Sequence, residues 1–294
     1  MSEKKIKKIT ELTCSEVQNL INSVDIVLFD IDGALLVNSL PLPGSTELIA
    51  KLRKLNKDIR FVTNNTLYSI ETIKDNLRFF NAEHKDIFTP IPSLLEYIKL
   101  TNYTQDIYVI GSSTVTNILR QNGLKIIEFK DIHPSLHIEE TGVALKELLL
   151  KALEIFQVAD ALLRNIKSIK LISGISDDMT PLARNLMVIG TKYYLDGLER
   201  WSGMKAIPMA KPAHELGDIL KSVLNITDSQ RVLMVGDNVE TDIGFGVNSG
   251  FKTFLVLTGA TTKEQVEIWK YSESLKPDYL AQDLEDLYEK IKEM

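Results

Sequence analysis

Val27-Leu28-Phe29-Asp30-Ile31-Asp32-Gly33-Ala34-Leu35 places two carboxylates directly after an apolar run and directly before a glycine. The apolar run predicts a buried strand, and open α/β sheets bind their ligands at the carboxyl ends of such strands. Side chains two residues apart on a regular strand point the same way, so Asp30 and Asp32 should repel each other unless a cation lies between them or one is protonated. A buried strand that simply ends in an Asp-Gly turn is the structural alternative.

A similar arrangement returns near the end of the chain. Arg231–Asp242 contains another apolar run, a Gly-Asp turn at Asp237 and a further carboxylate, Asp242, five positions on. Between the two segments lie Phe61-Val62-Thr63-Asn64-Asn65 and Ala210-Lys211-Pro212. Together these segments supply carboxylates, a hydroxyl and a lysine, an inventory suited to binding a metal ion and a phosphate.

Predicted strands and helices alternate along most of the chain. A first series starts at Asp25, gives way to a second series after residue 100, and resumes at Ile207. Such alternation implies a parallel sheet with helices on both faces, and an insertion of this length indicates a second domain. We therefore predict an α/β fold with a doubly wound parallel core at 1–100 and 207–294 and an inserted α/β domain at 101–206.

The composition is that of an ordinary globular protein of 294 residues, with a formal net charge of −6. This acidic balance argues against non-specific binding to nucleic acid, which needs a basic surface. No apolar run approaches the roughly 20 residues that a membrane helix needs. Cys14 is the single cysteine, which excludes an internal disulfide and a multi-cysteine zinc site. We expect a cytoplasmic protein without nucleic-acid or membrane partners.

The four segments, taken in this order, resemble the haloacid dehalogenase superfamily of phosphohydrolases. The Asp-Gly-x-Leu at Asp32, the Thr-Asn-Asn-Thr at Thr63, the Lys-Pro at Lys211 and the Gly-Asp-x-x-x-Thr-Asp-Ile at Gly236 resemble its 4-nitrophenylphosphatase branch, which includes phosphoglycolate and pyridoxal phosphate phosphatases. The resemblance implies a Rossmann-like core, an inserted cap that closes over the active site, and hydrolysis of phosphate monoesters.

Two aspartates are predicted to carry the chemistry. Asp30 is the predicted nucleophile, since a carboxylate that attacks phosphorus gives an aspartyl phosphate that water then cleaves in an easier step. Asp32 is the predicted general acid, and afterwards the general base that activates water. The family assigns the same roles to the matching positions.

A metal site is predicted around Asp237, because Mg²⁺ prefers carboxylate oxygen and bridges to phosphate. The resemblance implies that Asp30, Asp237 and the backbone carbonyl of Asp32 hold the ion. Asp242 has three interpretations: a metal ligand acting through water, a residue that orients Lys211, or a helix-start carboxylate favoured by the helix dipole.

Phosphate binding is predicted at the end of the strand that precedes Thr63. Thr63 is expected to offer its hydroxyl and its backbone N–H to a phosphate oxygen, and Asn64 and Asn65 to add further donors. A turn rich in Asx hydrogen bonds is the alternative for this segment. Lys211 is expected to supply positive charge to the transition state.

The largest departure from the branch lies in the inserted domain. Branch members carry a Thr-Asn-x-Asp turn that faces the active site, whereas this chain has Gly174-Ile175-Ser176-Asp177. Asp177 matches and is a predicted substrate-binding residue, and the neighbouring Asp178 adds negative charge. We interpret Trp201 and the Tyr193-Tyr194 pair as cap core or as an oligomer surface rather than as an aromatic substrate site.

These observations predict a Mg²⁺-dependent phosphomonoesterase that acts on small phosphorylated metabolites. The alternative is a divergent, weakly active paralogue whose cap serves binding or assembly, and a homodimer formed through the cap is left open. The altered cap turn favours the alternative. The enzyme is favoured by the intact set Asp30, Asp32, Thr63, Lys211, Asp237 and Asp242.

Overall fold

A computed structural model of the chain describes residues 5–65, 68–111, 113–128, 131, 155–156, 158–164, 170–174, 179–183, 186–189 and 191–294. The chain divides into two compact units, one formed by Met1–Ser93 and Ala210–Met294 and the other by Leu94–Met209. In the part of the chain that is described, no helix combines the length and the apolar character needed to cross a membrane.

The regular elements are short and alternate along the chain. The strands are β1 Lys7–Lys8, β2 Ile26–Phe29, β3 Leu36–Val37, β4 Leu40–Pro41, β5 Asp58–Val62, β6 Ile87–Phe88, β7 Ile107–Tyr108, β8 Ile126–Ile127, β9 Ile172–Ser173, β10 Met179–Ala183, β11 Leu186–Ile189, β12 Ile207–Pro208, β13 Val232–Gly236, β14 Lys252–Val256 and β15 Tyr279–Ala281. The labelled helices are α1 Cys14–Asn22, α2 Ser45–Lys54, α3 Ile70–Asn76, α4 Pro90–Leu100, α5 Ser113–Gln121, α6 Lys192–Ser202, α7 His214–Val223, α8 Gly244–Ser249, α9 Lys263–Glu267 and α10 Leu284–Ile291.

The first unit is built on a parallel sheet. Among the described residues it has seven strands in the order β1-β15-β14-β13-β2-β5-β6, and every pairing is parallel. The chain runs outward from β2 through β5 to β6, then starts again on the other side of β2 with β13 and continues to β14 and β15. The strand order therefore reverses between β2 and β13, the place where open α/β sheets bind ligands. The predicted doubly wound α/β core is confirmed.

Both faces of this sheet are buried, which explains the unbroken apolar runs in the sequence. Successive side chains of a strand point to opposite faces. Val27 and Phe29 accordingly pack into one hydrophobic cluster, together with residues of α1, α2 and α10. Leu28, between them, packs into a second cluster with Leu216 and Leu220 of α7 and Phe245 of α8.

Two prolines lie in the first turn of α4. The helix begins at Pro90 and includes Pro92. Proline is tolerated in the first turn of a helix because the N–H groups there have no acceptor within the helix. The two prolines therefore start this helix instead of delaying it.

The second unit contains short paired strands and helices of its own. β7 pairs with β8 and β9 with β12, both in parallel, and β10 pairs with β11 in an antiparallel hairpin. The sequence pattern assigned Ile207–Met209 to the returning core, but Ile207 and Pro208 pair with Ile172 and Ser173 of the second unit. The chain re-enters the first unit only at Ala210.

Three aromatic side chains of α6 are exposed within the second unit. Tyr193 is 59%, Tyr194 48% and Trp201 57% accessible, so the interpretation of these residues as core is wrong. Leu198, on the same helix, is buried instead and packs with Ala159 and other apolar residues. The interpretation of the aromatics as an oligomer surface stays a prediction.

Candidate active site

Three buried carboxylates converge where the strand order reverses. Asp30 follows β2 and Asp237 follows β13, and the N–H of Asp30 donates to the carbonyl of Val235 at 2.9 Å, which ties the two strand ends together. Among the described residues, Asp30, Asp237 and Asp242 each bring a carboxylate oxygen within 4.8 Å of the others. All three residues are at most 8% exposed.

Lys211 neutralises part of the negative charge of these three carboxylates. Its side chain is 1% exposed, and its ammonium contacts Asp30 Oδ1 at 2.5 Å, Asp242 Oδ1 at 2.8 Å and the carbonyl oxygen of Val62 at 2.8 Å. These contacts match the three protons of an ammonium group. Burial alone would lower the pKa of Lys211, but the carboxylates of Asp242 and Asp30 raise it above its ordinary value. The lysine is therefore charged at neutral pH.

One lysine does not neutralise three carboxylates. Burial raises the pKa of Asp30 well above its ordinary value, and Asp242 and Asp237 add to the rise while Lys211 opposes it. Burial, followed by the charge of Asp242, raises the pKa of Asp237 to about 6. The site therefore has excess negative charge on carboxylate oxygen atoms, which are the ligands that Mg²⁺ prefers.

The carboxylate of Asp237 lies in a cradle formed by two glycines. Gly33 has a φ of +96°, and a Cβ there would lie 2.6 Å from Asp237 Oδ2; a Cβ on Gly259 would overlap the same carboxylate. The N–H of Ala260 donates to Asp237 Oδ2, and the hydroxyl of Thr258 donates to the carbonyl of Gly33 at 2.6 Å. The residues present fit a divalent cation, which Asp30 and Asp237 would hold.

The loop that forms half of this cradle was missed in the sequence analysis. It follows β14, the neighbour of β13 in the sheet, and comprises Thr258, Gly259 and Ala260. The available signal was a run of small residues at the end of an apolar strand. That run became informative only once β14 was known to lie beside β13.

We expect Gly259→Ala to lower both the stability of the protein and its affinity for Mg²⁺. The added methyl group would force the Asp237 carboxylate to move, and overpacking of this kind costs about 1–3 kcal/mol. Thermal unfolding with and without Mg²⁺ measures both effects. Gly197→Ala in α6 is the matched control, since the nearest neighbours of a Cβ there are ordinary contacts at 3.7 Å. An unchanged melting temperature and an unchanged response to Mg²⁺ in Gly259→Ala would contradict the cradle.

Asp242 uses both of its oxygens on donors of the protein. Oδ2 accepts the N–H groups of Asp237 and Asn238, each at 3.1 Å, while Oδ1 pairs with Lys211. Of the three interpretations of Asp242, the geometry favours the one in which it orients Lys211. By accepting these two N–H groups, Asp242 also fixes the main chain at Asp237. This segment directly precedes the π-helical turn Val239–Ile243.

Asp32 lies apart from the buried trio, and its side chain is exposed. The turn that carries it is held by three hydrogen bonds. The N–H groups of Leu35 and Leu36 donate to the Ile31 carbonyl at 3.0 and 2.9 Å, and the N–H of Gly33 donates to the Leu36 carbonyl at 2.8 Å. Asp30 and Asp32 therefore differ in environment, one buried against a lysine and the other open to solvent. Such a difference separates two carboxyl groups into different roles.

Several polar groups of the segment after β5 form hydrogen bonds within the protein. The N–H of Thr63 donates to the carbonyl of Phe88 at 3.0 Å, so the prediction that this N–H binds phosphate is wrong: pairing with β6 continues one residue beyond the strand. Thr63 Oγ1 accepts the N–H of Asn65 at 3.0 Å, and Asn65 Oδ1 accepts the N–H of Tyr68 at 3.4 Å. The alternative of a hydrogen-bonded turn thus describes part of this segment, while phosphate binding by the Thr63 hydroxyl stays a prediction.

Asn64 binds the protein main chain through both heavy atoms of its side-chain amide. Its Nδ2 donates to the carbonyl of Lys211 and its Oδ1 accepts the N–H of Lys211, both at 2.9 Å. Since Nδ2 carries two N–H groups and this contact uses one, binding of phosphate by the Asn64 side chain stays a prediction. Asp177, the predicted substrate-binding residue of the second unit, lies outside the described residues.

The parallel sheet and the carboxylates at its switch point define a hydrolase of the haloacid dehalogenase type. One family model, described as haloacid dehalogenase-like hydrolase, matches residues 27–125, and a second, described as HAD-hydrolase-like, matches residues 208–287. These two ranges include Asp30, Thr63, Lys211 and Asp237. The chain belongs to the haloacid dehalogenase-like hydrolases.

Named relatives place the chain among the phosphatases of this family. It is 26% identical to phosphoglycolate phosphatase 2 of Arabidopsis thaliana, over 94% of this chain and 96% of the relative. It is 27% identical to 4-nitrophenylphosphatase of Schizosaccharomyces pombe, over 93% and 96%. The solved p-nitrophenyl phosphatase from Archaeoglobus fulgidus is 26% identical and has a TM-score of 0.71, with 91% of this chain and 99% of that chain covered.

Proposed function

We propose that this phosphatase is a Mg²⁺-dependent phosphomonoesterase that hydrolyses small phosphorylated metabolites through an aspartyl phosphate on Asp30. The observation that carries the proposal is the position of Asp30. It lies at the switch point of the sheet, within 4.8 Å of the Asp237 carboxylate, with one oxygen held by Lys211. A nucleophile, a charge partner and a metal-ligand set thus meet at one place.

In the first step, a carboxylate oxygen of Asp30 attacks phosphorus and the bond to the leaving oxygen breaks. Lys211 holds Oδ1, which orients Oδ2 for the attack. Asp32, two residues after the nucleophile and open to solvent, gives its proton to the leaving oxygen, so that a neutral alcohol departs. Asp30 then carries the phosphoryl group as a mixed anhydride.

In the second step, Asp32 is a carboxylate and takes a proton from water, which attacks the phosphorus of the aspartyl phosphate. The bond from phosphorus to Asp30 breaks, inorganic phosphate leaves, and both aspartates return to their starting states. A bound Mg²⁺, held by Asp30 and Asp237, would neutralise charge on the phosphoryl oxygens. The hydroxyl of Thr63 is the proposed donor to these oxygens, and Lys211, whose three protons bind other acceptors, would contribute its positive charge through space.

Hydrolysis of 4-nitrophenyl phosphate with and without Mg²⁺ tests the proposal and separates it from the alternative. We expect turnover that depends on the metal. The alternative, a divergent and weakly active paralogue, would give at most slow release of 4-nitrophenol, and an absence of metal-dependent release would reject the enzymatic proposal.

We propose that residues 94–209 act as the cap that selects the substrate, and we expect phosphoglycolate to be turned over poorly compared with aryl or cofactor-like monoesters. Asp177 and Asp178 would repel a second anionic group on the substrate. The Coulomb term is about 1 kcal/mol at 4 Å in water and several times larger in a closed site. A panel measured as kcat/KM, on the wild type and on Asp177→Asn and Asp178→Asn, checks this. A panel led by phosphoglycolate would place these carboxylates away from the substrate.

Two further aspects of the biology stay proposals. A cytoplasmic location is supported by the single cysteine, since one cysteine leaves no internal disulfide. A homodimer formed through the second unit is supported by the exposed Tyr193, Tyr194 and Trp201 of α6. Sedimentation of the wild type and of Trp201→Ser tests the second of these.

A further inference from the structure

We propose that Asn64 is a positioning residue that fixes the main chain of Lys211 and so places the lysine ammonium against Asp30. The inference rests on the proposed function, since it assigns Asn64 a part in the same reaction. It gives the Asn64 side chain a role that acts through Lys211 rather than through a contact with the substrate.

The contact between Asn64 and Lys211 has two points. The amide of Asn64 donates to the carbonyl and accepts from the N–H of the same residue, at 2.9 Å in each case. A single hydrogen bond leaves a hinge about which the partner can rotate, whereas two antiparallel bonds fix both the position and the orientation of the main chain. The two residues are 147 positions apart in sequence, so local structure alone would not hold them together.

The end of β5 also holds the other end of Lys211. The carbonyl of Val62, two residues before Asn64, accepts a hydrogen bond from the Lys211 ammonium at 2.8 Å. The lysine is thus anchored by its main chain and by its terminal nitrogen to one short segment of the sheet. Asp30, directly after the neighbouring strand β2, is thus paired with a lysine whose main chain and ammonium are both held in place.

Loss of the main-chain contact should therefore act on the rate. The Lys211 side chain has four rotatable bonds, and without Asn64 its root could shift relative to Asp30. A displacement of about 1 Å in a catalytic site can lower turnover by roughly 10²-fold. Substrate affinity should change little, because the proposed role of Asn64 involves no contact with the phosphate.

Steady-state kinetics of Asn64→Ala and Asn64→Asp test the proposal. Aspartate keeps the shape and the acceptor but sets an oxygen against the Lys211 carbonyl, so it serves as a second variant if alanine fails to fold. We expect kcat to fall by about 10–100-fold in both variants, with KM and inhibition by inorganic phosphate within about threefold of the wild type. A rise in KM and in the phosphate inhibition constant with kcat retained would show direct contact with phosphate and would overturn the proposal.

Asn248→Ala is the matched control. Asn248 is exposed and donates its side-chain amide to the carbonyl of Pro212 at 2.8 Å, so it makes a bond of the same kind to the adjacent residue of the same loop. Removing it should leave kcat within about threefold of the wild type. Equal losses of kcat in Asn64→Ala and Asn248→Ala would mean that both act through loop stability, and the positioning role would be wrong.

Hydrogen exchange at the Lys211 amide provides a readout that does not depend on turnover. Asn64→Ala should speed the exchange of this amide, since its acceptor is lost, and Asn248→Ala should not. If the wild type hydrolysed no phosphate monoester, the proposed function would fail. Hydrogen exchange at the Lys211 amide would then still test whether Asn64 holds the main chain of Lys211. Unchanged protection of Lys211 in Asn64→Ala would overturn the inference in either case.

Discussion

Asp30→Asn is expected to abolish turnover while leaving the fold intact. Asparagine has the shape of aspartate, and its amide oxygen can still accept a hydrogen bond from Lys211, but it does not attack phosphorus to form a stable acyl phosphate. Loss of a hydrolytic nucleophile lowers kcat by on the order of 10⁴-fold or more. The rate of 4-nitrophenyl phosphate hydrolysis gives the measurement, and circular dichroism with thermal unfolding confirms the fold.

Two companion variants make the Asp30 result specific. Asp32→Asn should slow the second step, so that acid-quenched protein retains phosphate on Asp30 and mass spectrometry of the peptide detects it. Asp218→Asn is a control, because Asp218 is an exposed carboxylate that pairs only loosely with Lys221 at 3.4 Å. Activity near the wild-type level in Asp30→Asn would exclude the covalent route through this residue.

The position of the site could be predicted from the sequence because strand ends and chemistry coincide. Three apolar runs, before Asp30, Thr63 and Asp237, each end in a polar residue. In a parallel sheet these ends share one edge. Neighbouring strands then bring the residues together without any further information, and the buried cluster of Asp30 and Asp237 follows.

The hydrogen-bond partners could not be predicted, since they depend on contacts between distant residues. A pattern of residue types does not show that the amide of Asn64 meets the main chain of Lys211, or that β6 takes the N–H of Thr63. The first finding gives Asn64 a part in building the site, and the second removes the N–H of Thr63, but not its hydroxyl, from the predicted phosphate donors. The same limit applies to Gly259, whose importance comes from the Asp237 carboxylate beside it.

Local signals also failed where the apolar pattern was short. β1 is a pair of lysines, and it was not predicted because its main chain, rather than apolar side chains, joins it to β15. Helix α1 was missed as well, although Thr13 and Glu16 form a capping box at its start. Its buried face consists of Val17, Leu20 and Ile21, only three apolar residues in a polar segment.

Removal of the metal is expected to silence the enzyme, and Mg²⁺ should restore it after treatment with EDTA. The same ion should stabilise the fold, because it binds carboxylates that the unfolded chain does not bring together. Binding at 100 times the dissociation constant stabilises a protein by about 2.7 kcal/mol. We therefore expect Mg²⁺ to raise the melting temperature of the wild type. Full turnover in EDTA would show that the metal assignment is wrong.

Asp237→Asn should remove this response to Mg²⁺ and, in EDTA at pH 7, should leave the protein more stable than the wild type. The carboxylate of Asp237 is buried beside Asp242, and its pKa is raised to about 6. At pH 7 Asp237 is therefore ionised in the folded state, and this buried negative charge destabilises the fold. A raised carboxyl pKa contributes stability below the unfolded-state value, near 4, and this is lost as the pH rises through about 6. The difference in unfolding free energy between Asp237→Asn and the wild type should thus be largest at pH 7 and shrink toward pH 4.

Urea unfolding in EDTA at several pH values measures this difference, with Asp218→Asn as the exposed control. A difference in unfolding free energy that stayed constant over this pH range would mean that the pKa of Asp237 is not raised in the folded state. A melting temperature that Mg²⁺ still raised in Asp237→Asn would mean that the ion binds elsewhere.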